Sequence, residues 1–170
     1  MRFRCALAVM ACCLAFPAFA APADGELVGV VRAVGSAMNA ETMLAPSKAN
    51  KGPALCPSTI EKRIRHLGGL TVKAQGHWQL DAKGVQKCFE ATDFTVTLTS
   101  SGRPAIVGKL TKKAGVYQLT GDDGRVMSLV EAPSGLRRMD GQRVILDLKP
   151  MSGPAAKDVS YKVVTYAAFP

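Results

Sequence analysis

Cys56, His66, His77 and Cys88 are the residues of this 170-residue chain whose types and spacing come nearest to chemistry. Their near-even spacing raises a zinc site of two cysteines and two histidines. The paired C-x-x-C or closely spaced histidine clips that mark such sites are missing. A nucleophilic triad needs a histidine beside a serine or cysteine, and His66 and His77 are the two histidines of the sequence. His66 falls in the last turn of a predicted helix, where an imidazolium interacts favourably with the helix dipole. His77 stands at a strand end beside Trp78, and neither histidine has a carboxylate orienter nearby in sequence. The acids Asp81, Glu90, Asp93, Asp122, Asp123, Asp140, Asp147 and Asp158 are scattered or in turns. Asp122-Asp123 reads as a hairpin turn, because no alternating ligand loop surrounds it. No phosphate loop, G-x-S-x-G elbow or H-E-x-x-H is present. A glycosidase-type carboxylate pair is assembled in space and leaves little trace in sequence. The expectation is a protein that is not an enzyme and carries no cofactor or metal.

The N-terminus bears on compartment and on the cysteines. Met1-Arg2-Phe3-Arg4 is basic, Cys5 to Phe16 is almost wholly apolar, and Ala18-Phe19-Ala20 is an A-x-A cleavage signal. This pattern predicts a cleaved signal peptide over residues 1–20 and export to the periplasm, with full secretion left open. Acylation of Cys12 competes with this reading, but the apolar run before it is too brief. No later segment is apolar for long enough to span a bilayer as a helix. Cleavage removes Arg2 and Arg4, lowering the formal charge from +9 to +7, and three of the five cysteines. Cys56 and Cys88 remain in an oxidising compartment, which favours a disulfide over free zinc-binding thiolates.

The elements that must position these residues are written twice. Val28-Gly29-Val30-Val31 opens one half and Val107-Gly108-Lys109-Leu110 the other. Ile64, Leu67, Gly69, Val72 and Phe94 match Leu136, Met139, Gly141, Val144 and Tyr166 at a constant offset of 72, the mark of a tandem module. In the first half, alternation predicts strands over Glu26 to Val34, Glu41 to Ala45, Leu70 to Gln75 and Phe89 to Thr99. Ala54 to Cys56 is the candidate third strand. Ser58 with Glu61 forms a capping box for a helix from Thr59 to His66, stopped by Gly68-Gly69. The loop Ala45 to Pro53 is polar and proline-bounded. In the second half, strands are predicted over Ala105 to Thr111, Gly115 to Thr120, Arg125 to Val130, Arg143 to Lys149 and Val159 to Ala168. The Gly121-Asp122-Asp123-Gly124 hairpin joins two of them, and Ala132 to Gly141 has room for a turn of helix. The boundary falls near Ser100 to Pro104, giving modules at 21–101 and 102–170.

Three strands, a helix and two strands is the order of the five-stranded Greek-key barrel known as the oligonucleotide/oligosaccharide-binding (OB) fold. The Val-Gly pairs at 28 and 107, Leu67-x-Gly69-x-x-Val72, Met139-x-Gly141-x-x-Val144 and the final strands around Phe94 and Tyr166 carry a resemblance to small exported bacterial versions of it. The expected class is all-β with short helices, as two tandem OB-like barrels. The first is open to distortion, since its second and third strands are poorly marked. The resemblance implies a ligand face on the second and third strands and the loops after strands 1 and 4. Those positions hold Lys112, Lys113, Tyr117 and Arg125 in the second half, and Trp78, Lys83 and Lys87 in the first. The basic segments Lys62, Arg63, Arg65 and Arg137, Arg138, Arg143 could meet an anionic surface. The functional expectation is a binding or adaptor protein for an envelope protein or envelope polymer. A salt-sensitive binder of nucleic acid or acidic glycan, or an enzyme inhibitor using the Ala45 to Pro53 loop, are the alternatives.

Overall fold

Two strands with an inward-facing glycine shape the two halves. β1 (Asp24–Val34) carries Gly29 and β5 (Ile106–Lys113) carries Gly108. A Cβ at Gly29 would stand 2.7 Å from the Leu44 carbonyl carbon, and one at Gly108 2.3 Å from the Thr120 carbonyl oxygen. Only a residue without a side chain lets β1 coil against β2 (Glu41–Ala45) and β5 against β6 (Val116–Gly121) at that approach. The repeated Val-Gly pair is therefore a backbone requirement.

The computed structural model describes residues 24–36, 39–47, 49, 51–151 and 159–170. The signal peptide read at 1–20 lies outside the described residues, as does most of the connection before the last strand. The architecture is all-β with two short helices.

In the first half, β3 (Thr71–Leu80) and β4 (Gln86–Leu98) join β1 and β2 in a four-stranded sheet of order β2-β1-β3-β4. The expected third strand is reduced to two isolated bridges, Met43 with Ala54 antiparallel and Leu55 with Phe89 parallel. Pro53 and Pro57 flank this segment and have no N–H to donate, which limits further pairing. The first half is thus a curled open sheet where a five-stranded barrel was expected. In the second half, β7 (Val126–Glu131), β8 (Arg143–Pro150) and β9 (Ser160–Ala168) close a barrel with β5 and β6 in the order β5-β6-β7-β9-β8. The β7–β9 pair is parallel and every other pair of this barrel antiparallel.

The repeat extends to individual hydrogen bonds. Val31 N donates to Leu70 O and Gly69 N to Val31 O, while Leu110 N donates to Gln142 O and Gly141 N to Leu110 O, all at 2.9 Å. Gly69 and Gly141 share a positive φ, +83° and +80°, that favours glycine. The β3–β4 ladder slips between Gln75 and Gly76, and β8–β9 between Asp147 and Leu148, again 72 residues apart. Phe89 and Tyr161, also 72 apart, make the parallel contact of each half.

The helices differ. α1 (Thr59–Arg65) is capped by the Ser58 hydroxyl, which accepts from Glu61 N at 3.0 Å. The predicted box is only half formed, because the Glu61 side chain turns inward and accepts from the Thr42 hydroxyl and, at 2.7 Å, from Arg65. Ile64 and Leu67 anchor α1 in the core, each burial contributing about 2 kcal/mol. α2 (Ser134–Arg137) is one turn long and buries Leu136.

Cys56 and Cys88 form a disulfide with a sequence separation of 32, so they are not zinc ligands. The bridge ties the segment before α1 to the turn end of the β3–β4 hairpin, where Cys88 pairs with Gln79. Closing a loop of that length stabilises by about 3 to 4 kcal/mol in the chain-entropy model. A Cys56→Ala/Cys88→Ala variant should lose that amount in urea denaturation, and an unchanged midpoint would show the bridge to be energetically idle.

The two halves share a core. β8 is buried on both sides: Val144 and Leu146 face the barrel interior, while Ile145 belongs to the core cluster of the first half. The register row Val107–Ile145–Ala167 presents one outer face of the barrel to that cluster. Phe169 stacks on Phe94 with centroids 5.8 Å apart, and the Arg143 guanidinium lies 4.2 Å from the Phe169 centroid.

Candidate binding face

Packing one outer face of the barrel against the first half leaves the outer face of β5, β6, β7 and the start of β9 uncovered. Side chains alternate across the strands, so Leu110, Leu119, Met127 and Leu129 point inward and their sequence neighbours outward. The ladders align the outward residues in rows. Thr111, Gln118, Ser128 and Ser160 form a polar row across four strands. Lys109, Thr120 and Val126 form the row on one side of it. On the other side Lys113 opposes Val116, and Lys162 opposes both Glu131 and Lys149. Val116, Val126 and Val130 on this face are 46%, 60% and 55% exposed. At the usual strand spacing, the polar row spans about 14 Å from β5 to β9.

Lys109, Lys113, Lys149 and Lys162 are exposed, and none has a carboxylate within ion-pairing distance among the described residues. Four cations around a row of hydroxyls and an amide give this face a positive local potential beside hydrogen-bonding side chains. Glu131 is the acid within the rows.

The five residues expected to bind do not converge. Lys113 lies on the exposed face. Tyr117 shares a register row with Leu129 and packs against the barrel core, with the Lys112 ammonium 5.6 Å from its ring centroid. Lys112 and Tyr117 therefore belong to the inward series at one barrel end. Arg125 sits at the opposite end of β6, beyond Gly121, and pairs with Asp123 at 3.4 Å. Trp78 is in the first half, edge-on to Phe89 at 5.4 Å and packed against that core. Lys83 and Lys87 are exposed around the turn of the β3–β4 hairpin.

The basic segments singled out earlier are largely engaged. Arg63 donates to Pro170 O at 3.1 Å, Arg65 to Glu61, Arg137 to Ala132 O at 2.7 Å, and Arg143 pairs with Asp122. Lys62 and Arg138 are exposed. His66 caps the C-terminus of α1 and is exposed, while His77 lies 3.4 Å from Glu90. No group of three potential metal ligands comes together among the described residues. At the end of the Ala45 to Pro53 loop, Pro53 returns to β2, its carbonyl accepting from Leu44 N at 3.0 Å.

The lysines that frame the face, Lys109, Lys149 and Lys162, were missed by sequence reasoning. Strand parity could have found Lys109, because it shares an outward series with Thr111 and Lys113. Compared with protein-family models, curated proteins and solved structures, the chain matches none.

Proposed function

We propose that this chain is an exported, non-enzymatic binding or adaptor protein of the cell envelope, built as two OB-like modules in tandem, with its partner held on the free outer face of the second. The matching strand order, hydrogen bonds and ladder slips of the two halves support the tandem reading, with the first module opened by its shortened third strand. One observation carries the functional reading: the exposed Lys109, Lys113, Lys149 and Lys162 surround a half-buried polar row on the face that packing between the halves leaves free. The partner is an acidic envelope protein or an anionic envelope polymer. Nucleic acid fits less well, because Tyr117 and Tyr161 pack against the barrel core and leave no ring in the described rows of this face for base stacking.

The test is capture from an envelope extract with the oxidised mature protein and with a Lys109→Gln/Lys113→Gln/Lys149→Gln/Lys162→Gln variant. At low salt the variant should retain at least tenfold less of the component that the unmodified protein holds. Equal retention would sink the proposal. A polymer held by charge alone is released steeply as salt rises, whereas a protein that also packs on Val116 and Val130 stays bound.

A further inference from the structure

The β3–β4 hairpin carries a second exposed surface, remote in sequence from the face above. Leu80 and Val85, at the two sides of its turn, are 50% and 59% exposed. The turn holds its shape: Asp81 N donates to Val85 O at 2.8 Å, and the Asp81 carboxylate accepts from Lys83 N at 2.8 Å and Val85 N at 2.9 Å. Asp81 is thus engaged in the turn, while Lys83 and Lys87 have no acidic partner among the described residues. The disulfide fixes the hairpin one ladder step below the Leu80–Gln86 pair. Trp78, the single tryptophan of the chain, is half-buried two residues before Leu80.

We propose that this hairpin tip docks on an anionic lipid surface, with Leu80 and Val85 entering the headgroup boundary and Lys83 and Lys87 meeting the phosphates. Two exposed aliphatic side chains on a braced turn provide apolar area that is ordered before binding, and nearby lysines add attraction to negative lipid. The charge pattern selects the occupant: aliphatic side chains with unpaired cations match an apolar interior beneath an anionic surface. The expected binding is weak and reversible, since only two side chains enter.

The test is flotation of the oxidised mature protein with phosphatidylglycerol-containing vesicles and with pure phosphatidylcholine vesicles, together with quenching of Trp78 by brominated lipid. Binding is expected to the anionic vesicles, with Trp78 quenched. Leu80→Asp/Val85→Asp should reduce it at least tenfold, as should Lys83→Gln/Lys87→Gln, which leaves the apolar residues in place should the first variant fold poorly. The four-lysine variant of the second half should remain quenched by anionic vesicles. Equal binding to both vesicle types, binding unaffected by either hairpin variant, or binding lost only in the four-lysine variant would overturn the proposal. Loss of partner capture in the earlier experiment leaves this result unaffected, because the two surfaces share no residue.

Discussion

Arg103→Ala should cost this protein about 3 kcal/mol, and a second change, Asp147→Val, should restore most of it. Asp147 is fully buried in β8, where its Oδ2 accepts from the Thr99 hydroxyl at 3.1 Å, from the Ser101 hydroxyl and from Arg103 Nη2 at 3.1 Å. Its Oδ1 lies 3.0 Å from Arg103 Nε as an ion-pair contact without hydrogen-bond alignment. Arg103 is the only cation touching that carboxylate among the described residues, and its side chain is 40% exposed. Its removal leaves a buried anion held by two hydroxyls, and breaking one partner of a buried pair typically costs about 3 to 5 kcal/mol. The lower end applies because solvent reaches the arginine. Replacing the carboxylate by an apolar group removes the orphaned charge, so the double variant should lie near the unmodified protein in urea denaturation. If Arg103→Ala is neutral, or if Asp147→Val adds a further loss on top of it, the network is not held by charge.

That network explains why the junction between the halves was legible only as a boundary. Ser100 to Pro104 reads as a turn by composition, and nothing in its spacing indicates that Thr99, Ser101 and Arg103 converge on a residue more than 40 positions later. Contacts of this range arise from register, which is set by the whole barrel. The strand and helix positions were legible because alternation and glycine placement act locally: the Val-Gly pairs, the Gly69 and Gly141 turns and the offset of 72 all correspond to real backbone geometry. The third strand of the first half was not, because two flanking prolines leave room for single bridges only. β3 runs on to Leu80, beyond the predicted end at Gln75, because the ladder slip between Gln75 and Gly76 lets the strand bend and continue. Among the candidate binding residues, chain position along a hairpin was a poor guide to facing direction. Lys112 and Lys113 are adjacent yet belong to opposite sides of the barrel wall, and only the second is on the open face.

The strongest disruption is expected from Ile145→Asp. Ile145 is 2% exposed and points out of its own barrel into the core of the other half, where it joins Val72, Phe94 and Val96 in one cluster. An aspartate there places a carboxylate among apolar side chains with no cation provided for it, at a cost of several kcal/mol beyond the lost burial. Ile145→Ala isolates the packing part and should cost about 3 kcal/mol by the usual cavity range. The two variants separate two models of how the halves depend on each other. The open sheet of the first half completes its core with Ile145 and Phe169, whereas the second half closes its own barrel with Leu110, Leu119, Leu146 and Val163 inside. Ile145→Asp should therefore unfold the first half while hydrogen exchange still protects amides of β5, β6 and β8. Loss of protection in both halves together would make them one cooperative unit, and protection retained in both would mean that the shared core contributes little. The asymmetry follows from strand count: a closed ring satisfies its own edges, but an open sheet spanned only by isolated bridges must borrow a wall from its neighbour.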